Sequence, residues 1–384
     1  MCEKNITINH NVSLATGFIG SIFTYQGAIV RRKKTEFVFN SATIAQLPQQ
    51  WEHDILGEDF AQLVFNLDSN VPTTGTSPQN PDKACATLIH YAPTKTAPSS
   101  QKPATTTAML WVHGLTDYFF HEHIAQFFAT HGYAFYALDL RKCGRSYRPG
   151  QKWHHTNDIE QYFEELTLAA HIILSKHDFL IPIAHSTGGL IVVLWLDYLR
   201  RSHPLMHKHI RGAILNSPWL DMIIPAIASA PLKPLLSVSG KYFPDIALPS
   251  SSNHSYGQSL HISAQGEWNY DLTYKPMGGH KKYLDWLRSI MLGQQRIHRR
   301  KVDCGVPVLT LCSTQSYFPR AFDAQCTRSD VILNVAQIQK WAKVLSTHTR
   351  VAPIAGAVHD VFLSKEYART EALRISLQWL RDLG

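Results

Sequence analysis

The sequence predicts an α/β fold with a mostly parallel central sheet, helices on both faces and one large insertion. Three observations carry this. Short apolar runs alternate with stretches of helical spacing from Ala108 to Leu215, and again from Val306 onward. His113, Asp139, Ser186 and Ser217 stand at or just past the ends of the apolar runs. These are the carboxyl ends of the expected strands, where open parallel sheets place their chemistry. Between Trp219 and Asp303 the rhythm breaks into an irregular stretch rich in proline, glycine and aromatic residues.

Taken in order, residues 1 to about 60 show weak periodicity and read as an extension leading into the first strands. Gln62 to Leu67 and Ala86 to Tyr91 read as β, separated by the turn-rich Asp68 to Asp82 with Pro72, Gly75, Pro78 and Pro81. Pro93 to Thr107 is a polar linker. Met109 to Val112 is a short buried strand ending at His113-Gly114, and Ile124, Phe127 and Phe128 mark a helix. Tyr133 to Leu138 is the next strand. Ile159, Tyr162, Phe163, Leu166, Ala170 and Ile173 then trace an amphipathic helix capped by Asn157 or Asp158. Phe179 to Ile183 and Ile210 to Leu215 are further strands, with a helix from Leu190 to Leu199 between them. Val306 to Leu311 is a strand, Val335, Ile338, Trp341, Ala342 and Leu345 a helix, Thr349 to Ile354 the last strand, and Ala372, Ile375, Trp379 and Leu383 the closing helix. The expected organisation is an extension (1–60), a core (61–218 and 304–384) and a cap or lid (219–303) that shapes a pocket and excludes water.

A chain of 384 residues suits one large α/β domain with an insertion, and 45% hydrophobic with 17% charged residues is a globular composition. The net charge of +8 could steer anionic substrates or favour transient contact with an anionic membrane surface. The densest basic cluster is Arg296, Arg299, Arg300 and Lys301. It lacks interleaved aromatic residues, so no nucleic-acid partner is expected. The six cysteines form no C-x-x-C pair and no disulfide pattern, and the N-terminal residues show no apolar signal region. The longest apolar stretch, Leu190 to Leu196, is too short to span a membrane. A cytoplasmic location is the expectation. His121-Glu122-His123 and His154-His155 lack metal-ligand spacing, and no phosphate-cradling glycine motif occurs, so neither metal nor cofactor is expected.

The chemistry centres on Ala184-His185-Ser186-Thr187-Gly188-Gly189, between an apolar strand and a helix. A sharp strand–turn–helix junction lifts a serine hydroxyl above the sheet edge, and small neighbours are needed where the backbone crowds. Ala184 stands where the usual motif has glycine, which costs little if the local φ is negative. Serine needs a base, and the base needs an orienting acid. His359, just past the last strand in Gly356-Ala357-Val358-His359-Asp360, is the expected base. Asp330, after the Val306 to Leu311 strand, is the expected acid, with Asp323 and Asp221 as alternatives. Asp303 precedes its strand, and Asp360 would have to fold back on its neighbour. The oxyanion would be held by the backbone N–H groups of Thr187 and Leu115.

These blocks, together with His113-Gly114-Leu115-Thr116-Asp117-Tyr118, Asp139-Leu140-Arg141-Lys142-Cys143-Gly144-Arg145-Ser146 and Asn216-Ser217-Pro218-Trp219-Leu220-Asp221, resemble the α/β-hydrolase superfamily. The similarity is to its serine aminopeptidase S33-like, monoacylglycerol lipase/lysophospholipase-like branch. It covers about residues 50–384, and is strongest over 108–221 and 306–364. It implies the α/β-hydrolase fold, the triad Ser186, Asp330 and His359, and a cap after the sixth strand. Two departures are Ala184 for glycine and Cys143 where a histidine often sits. The expected activity is carboxyl-ester hydrolysis on a small-molecule, lipid-like substrate such as an acyl ester, monoglyceride or lysophospholipid. The apolar, proline-broken stretch Met222 to Leu236 suits an acyl chain or simply packs on the core. Three alternatives stay open: a peptidase with Glu267 or Asp271 holding a substrate amine, an acyltransferase, and a non-catalytic binding protein.

Overall fold

The structure, a computed structural model, describes residues 48, 50–67, 84–93, 106–223, 240, 242–243, 245–248 and 254–383. The first strands are β1 (Glu52–Asp54), β2 (Gly57–Asn66), β3 (Cys85–Tyr91), β4 (Thr107–Val112) and β5 (Ala134–Asp139). They are followed by β6 (Phe179–His185), β7 (Ala213–Asn216), β8 (Val308–Ser313) and β9 (Thr349–Ile354). Among the described residues these form one sheet in the order β1-β2-β3-β5-β4-β6-β7-β8-β9. The β1–β2, β2–β3 and β3–β5 pairings are antiparallel, and every later pairing is parallel.

Burial explains the sequence pattern. From Ala108 to Val112, β4 is buried on both faces, as β6 is from Leu180 to His185. Strands covered on both sides read as continuous apolar runs. On one face Met109, Trp111, Ile183, Ile214 and Leu309 pack with Phe119, Phe128, Phe362, Trp379 and Leu380. The helices that supply this layer are α1 (Glu122–Thr130) and, at the end of the chain, α8 (Glu366–Asp382). Behind the other face run α2 (Tyr162–Leu174) and α3 (Thr187–Ser202), joined where Trp195 Nε1 donates to Thr167 Oγ1 at 3.0 Å. A short helix, α4 (Pro204–His207), ends that layer. Asp158 caps the turn that opens α2 by accepting from the Glu160 N–H.

Three elements differ from the expected ones. A hairpin, β1–β2, occupies part of the stretch read as an extension, turning at Gly57 with φ +101° while Asp54 Oδ1 accepts from the Leu56 N–H. Ile210 makes only an isolated bridge to Leu180, and the β7 ladder starts at Ala213. The strand expected from Val306 begins at Val308, because Pro307 has no N–H to give the ladder; its carbonyl accepts from Ala213 instead. Between β7 and β8 the chain forms α5 (Ser255–Leu260) and α6 (Leu284–His298). Beyond Met222 and Ile223, the apolar stretch expected to meet an acyl chain (224–236) lies outside the described residues. The helix before β9 is α7 (Val335–Ala342).

Candidate active site

The site forms where β6 ends and α3 begins. Ser186 sits at that junction with φ 53° and ψ −115°, a left-handed backbone that non-glycine residues rarely adopt. Such strain persists only where the surroundings enforce it, and it concentrates at functional positions. Here close packing enforces it. A Cβ on Gly188 would lie 2.4 Å from the His113 carbonyl oxygen and 2.7 Å from that of Val112. Ala184 lies within β6, pairs with Val112 and Leu215, and is not among the residues with left-handed φ. Its methyl group is therefore accommodated as in any strand.

Ser186 Oγ lies 2.9 Å from His359 Nε2, and His359 Nδ1 lies 2.9 Å from Asp330 Oδ2. Asp330 is fully buried, and its Oδ1 accepts from the Ile332 and Leu333 N–H groups, each at 2.8 Å. A carboxylate only accepts, so His359 Nδ1 carries a proton and Nε2 is left to accept from the serine hydroxyl. His359 is further fixed by an edge contact with the Tyr256 ring at 5.5 Å. Leu115 and Thr187 both line the cavity beside Ser186. Thr187 is the first residue of α3, and a helix leaves its first N–H groups without an internal partner. The loop that carries Leu115 passes close: a Cβ on Gly114 would be 3.0 Å from Ser186 Cβ.

The other acidic candidates are engaged elsewhere. Asp323 caps a turn through Gln325 and hydrogen-bonds the Tyr317 hydroxyl. Asp221 accepts from Trp341 Nε1 at 3.1 Å, and Asp303 from the Gly305 N–H at 2.9 Å. Asp360 does not fold back on His359; it accepts from His121 Nε2 at 2.9 Å and from Asn216 Nδ2 at 2.6 Å. Of the remaining histidines singled out, His123 meets the Phe362 carbonyl and His155 meets Asp285. His154 is buried, and that burial lowers its pKa to about 3. Cys143 is also buried, and burial first, then Asp139, pushes its thiol well above the usual range.

A buried polar cluster beside the serine is not legible in the sequence. Asp117, one residue past Thr116 in the loop after β4, accepts from Lys275 Nζ at 2.6 Å. His185 Nδ1 lies 3.4 Å from the other Asp117 oxygen and 3.9 Å from Asp360. Burial alone would raise both carboxyl pKa values. For Asp117 the Lys275 ammonium and His185 more than reverse this, and for Asp360 His185 and His121 do so; both carboxyls stay well below the usual carboxylate range. Lys275 comes from the irregular segment between β7 and β8, which gives the sequence no periodicity to read.

The cavity in front of Ser186 has a volume of about 600 Å³. Trp219, Met222, Trp286, Leu287, Ile332 and Leu333 give it apolar walls. Tyr256, Lys275, Met277 and Lys282, also from between β7 and β8, line it as well.

This architecture recurs in known proteins. The structure is similar to a monoacylglycerol lipase from Paleococcus ferrophilus at 18% identity and a TM-score of 0.54, covering 72% of this chain and 95% of that one. It is also similar to a soluble variant of monoglyceride lipase from Saccharomyces cerevisiae, at 16% identity and a TM-score of 0.55, covering 81% and 96% of the two chains. Identities this low speak for the shared fold. No curated protein sequence matches the chain. The sequence model of the family described as serine aminopeptidase, S33 matches residues 103–366, a span that holds the elbow, the loop after β4, Asp330 and His359. The chain therefore belongs to the serine aminopeptidase S33 family of α/β-hydrolases.

Proposed function

We propose that the protein hydrolyses carboxylic esters through an acyl-enzyme on Ser186. The observation that carries this reading is the unbroken chain from Ser186 Oγ through His359 to Asp330, with both links at 2.9 Å, opening on an apolar-walled cavity. Ser186 Oγ attacks the ester carbonyl carbon as its proton passes to His359 Nε2. Asp330 holds the imidazole in the required tautomer and stabilises its positive charge. The carbonyl oxygen becomes an oxyanion that accepts hydrogen bonds from the Leu115 and Thr187 N–H groups. Collapse breaks the bond to the leaving alkoxide, which takes the proton from His359. Water then attacks the acyl-enzyme with His359 again as base, releasing the acid and free Ser186.

In this reading the cavity-lining residues between β7 and β8, among them Trp219, Tyr256, Met277 and Trp286, serve as the cap that covers the acyl-binding space and limits water. The apolar walls favour an acyl chain or monoglyceride-like ester. An aminopeptidase would need a free carboxylate to hold the substrate's N-terminal amine. Glu267 instead pairs with Lys365 and Arg369, Asp271 is not part of the cavity wall, and Asp117 is taken by Lys275. Turnover of p-nitrophenyl butyrate and octanoate by the Ser186→Ala variant tests the proposal. Hydrolysis should fall to near the uncatalysed rate; undiminished turnover would contradict the reading.

A further inference from the structure

Two lysines line the cavity, and they differ in what neutralises them. Lys275 is buried and closed by its bond to Asp117. Lys282 is half-buried, and among the described residues no carboxylate pairs with it. Burial pushes its pKa down, and no neighbouring acid opposes that shift. A partly desolvated ammonium without a counter-charge gains most when an anion arrives.

A second polar residue borders the same cavity. Thr116 stands between Leu115 and Asp117 with φ 55°, an unfavourable backbone for a β-branched residue. It is 8% exposed, and its hydroxyl is buried with no hydrogen-bond partner in the structure. Both groups converge on Gly279. A Cβ built there would lie 3.4 Å from Thr116 Oγ1 and 3.6 Å from Lys282 Nζ. The gap is thus bordered by one hydroxyl and one cation, directly beside the loop that carries Leu115.

We infer that the Lys282 ammonium and the Thr116 hydroxyl form an anion-accepting subsite, and that the ester cleaved here carries a carboxylate or phosphate away from its reacting carbonyl. This rests on the proposed ester chemistry at Ser186 and names the substrate class for it. Apolar walls would hold the hydrocarbon part, and the subsite would fix its charged end.

The test compares kcat/KM for matched anionic and neutral esters in the wild type, Lys282→Met, Lys282→Arg and Thr116→Val. One arm pairs p-nitrophenyl hemiglutarate with p-nitrophenyl pentanoate, placing a carboxylate on the acyl side. The other pairs a lysophosphatidic acid with the monoacylglycerol of the same chain, placing a phosphate on the leaving group. A charge-assisted contact predicts a wild-type preference for the anionic member of about 10-fold or more in at least one arm. Lys282→Met should bring that ratio to about one, Thr116→Val should lower it, and Lys282→Arg should keep most of it. Which arm shows the preference tells a carboxylate on the acid from a phosphate on the alcohol. A wild-type ratio of one or below in both arms, or a ratio that Lys282→Met leaves intact, overturns the inference. Neutral-ester turnover that disappears in Ser186→Ala keeps the ester reading standing even then. Thermal unfolding of each variant separates loss of fold from loss of selectivity.

Discussion

Replacing Asp330 by asparagine tests the tautomer argument with little change of shape. Asp330 Oδ1 accepts from two backbone N–H groups at 2.8 Å, while Oδ2 faces His359 Nδ1 at 2.9 Å. An asparagine must keep its carbonyl oxygen toward the two N–H donors, because its NH2 group would meet them donor to donor. The NH2 group then faces His359 Nδ1 and donates to it. That forces the imidazole proton onto Nε2, which can no longer accept from Ser186 Oγ. The orienting charge is lost at the same time. A change of this kind lowers kcat by about 10⁴-fold, or ~5.5 kcal/mol of transition-state stabilisation. Because both backbone bonds survive, unfolding stability should change by only about 1 kcal/mol. The assay is steady-state hydrolysis of p-nitrophenyl butyrate with a denaturant titration alongside. A folded Asp330→Asn enzyme with kcat within about tenfold of the wild type would refute the reasoning.

Other substitutions probe the surroundings. Lys275→Met strips the buried Asp117 of its cation, and breaking a buried pair in this way costs about 3–5 kcal/mol at pH 7. The sign with pH follows. In the wild type the Asp117 pKa is depressed, so its contribution is present above the unfolded carboxylate value near ~4 and is lost as pH falls below it. In the variant, burial, the largest influence on the Asp117 carboxyl, is opposed only by His185 and His121, so the folded carboxyl takes up a proton more readily than in the wild type, and the gap to wild type should narrow between pH 7 and pH ~4.5 in denaturant titrations. A gap that stays constant over this range would count against the pair. Gly188→Ala drives a methyl group into the His113 and Val112 carbonyl oxygens, and should destabilise by about 1–3 kcal/mol or more with loss of ester turnover. Ala184→Gly should keep its activity and lose no more than about 1 kcal/mol, since it only loosens a strand residue. A large gain in activity from that change would mean that the Ala184 methyl group constrains the elbow.

What the sequence made legible follows what was local. Strand–turn–helix around Ser186, and His359 beyond the last strand, follow from hydrophobic period and chain order, because each element signals its own end. Asp330 was legible by topology, as an acid in the loop between β8 and α7. Gln62 to Leu67 reads as β and falls largely within β2, but β1 and the start of β2 are not legible, because an edge strand with exposed positions has a short, broken pattern. Lys275 and Lys282 could not be placed because they lie in irregular chain, where only three-dimensional packing brings them to the Ser186 cavity. Likewise, Asp117 and Asp360 look like any loop carboxylates until His185 and His121 are found beside them.

The central claim is that Ser186 is a nucleophile activated by His359. Labelling the folded protein with a fluorophosphonate probe, then mapping the modified peptide by mass spectrometry, tests this most directly. The account predicts close to one label per chain, on Ser186, lost in Ser186→Ala and slowed strongly in His359→Ala. A folded wild-type protein that takes up no label, or takes it up on another residue with Ser186 unmodified, would contradict it.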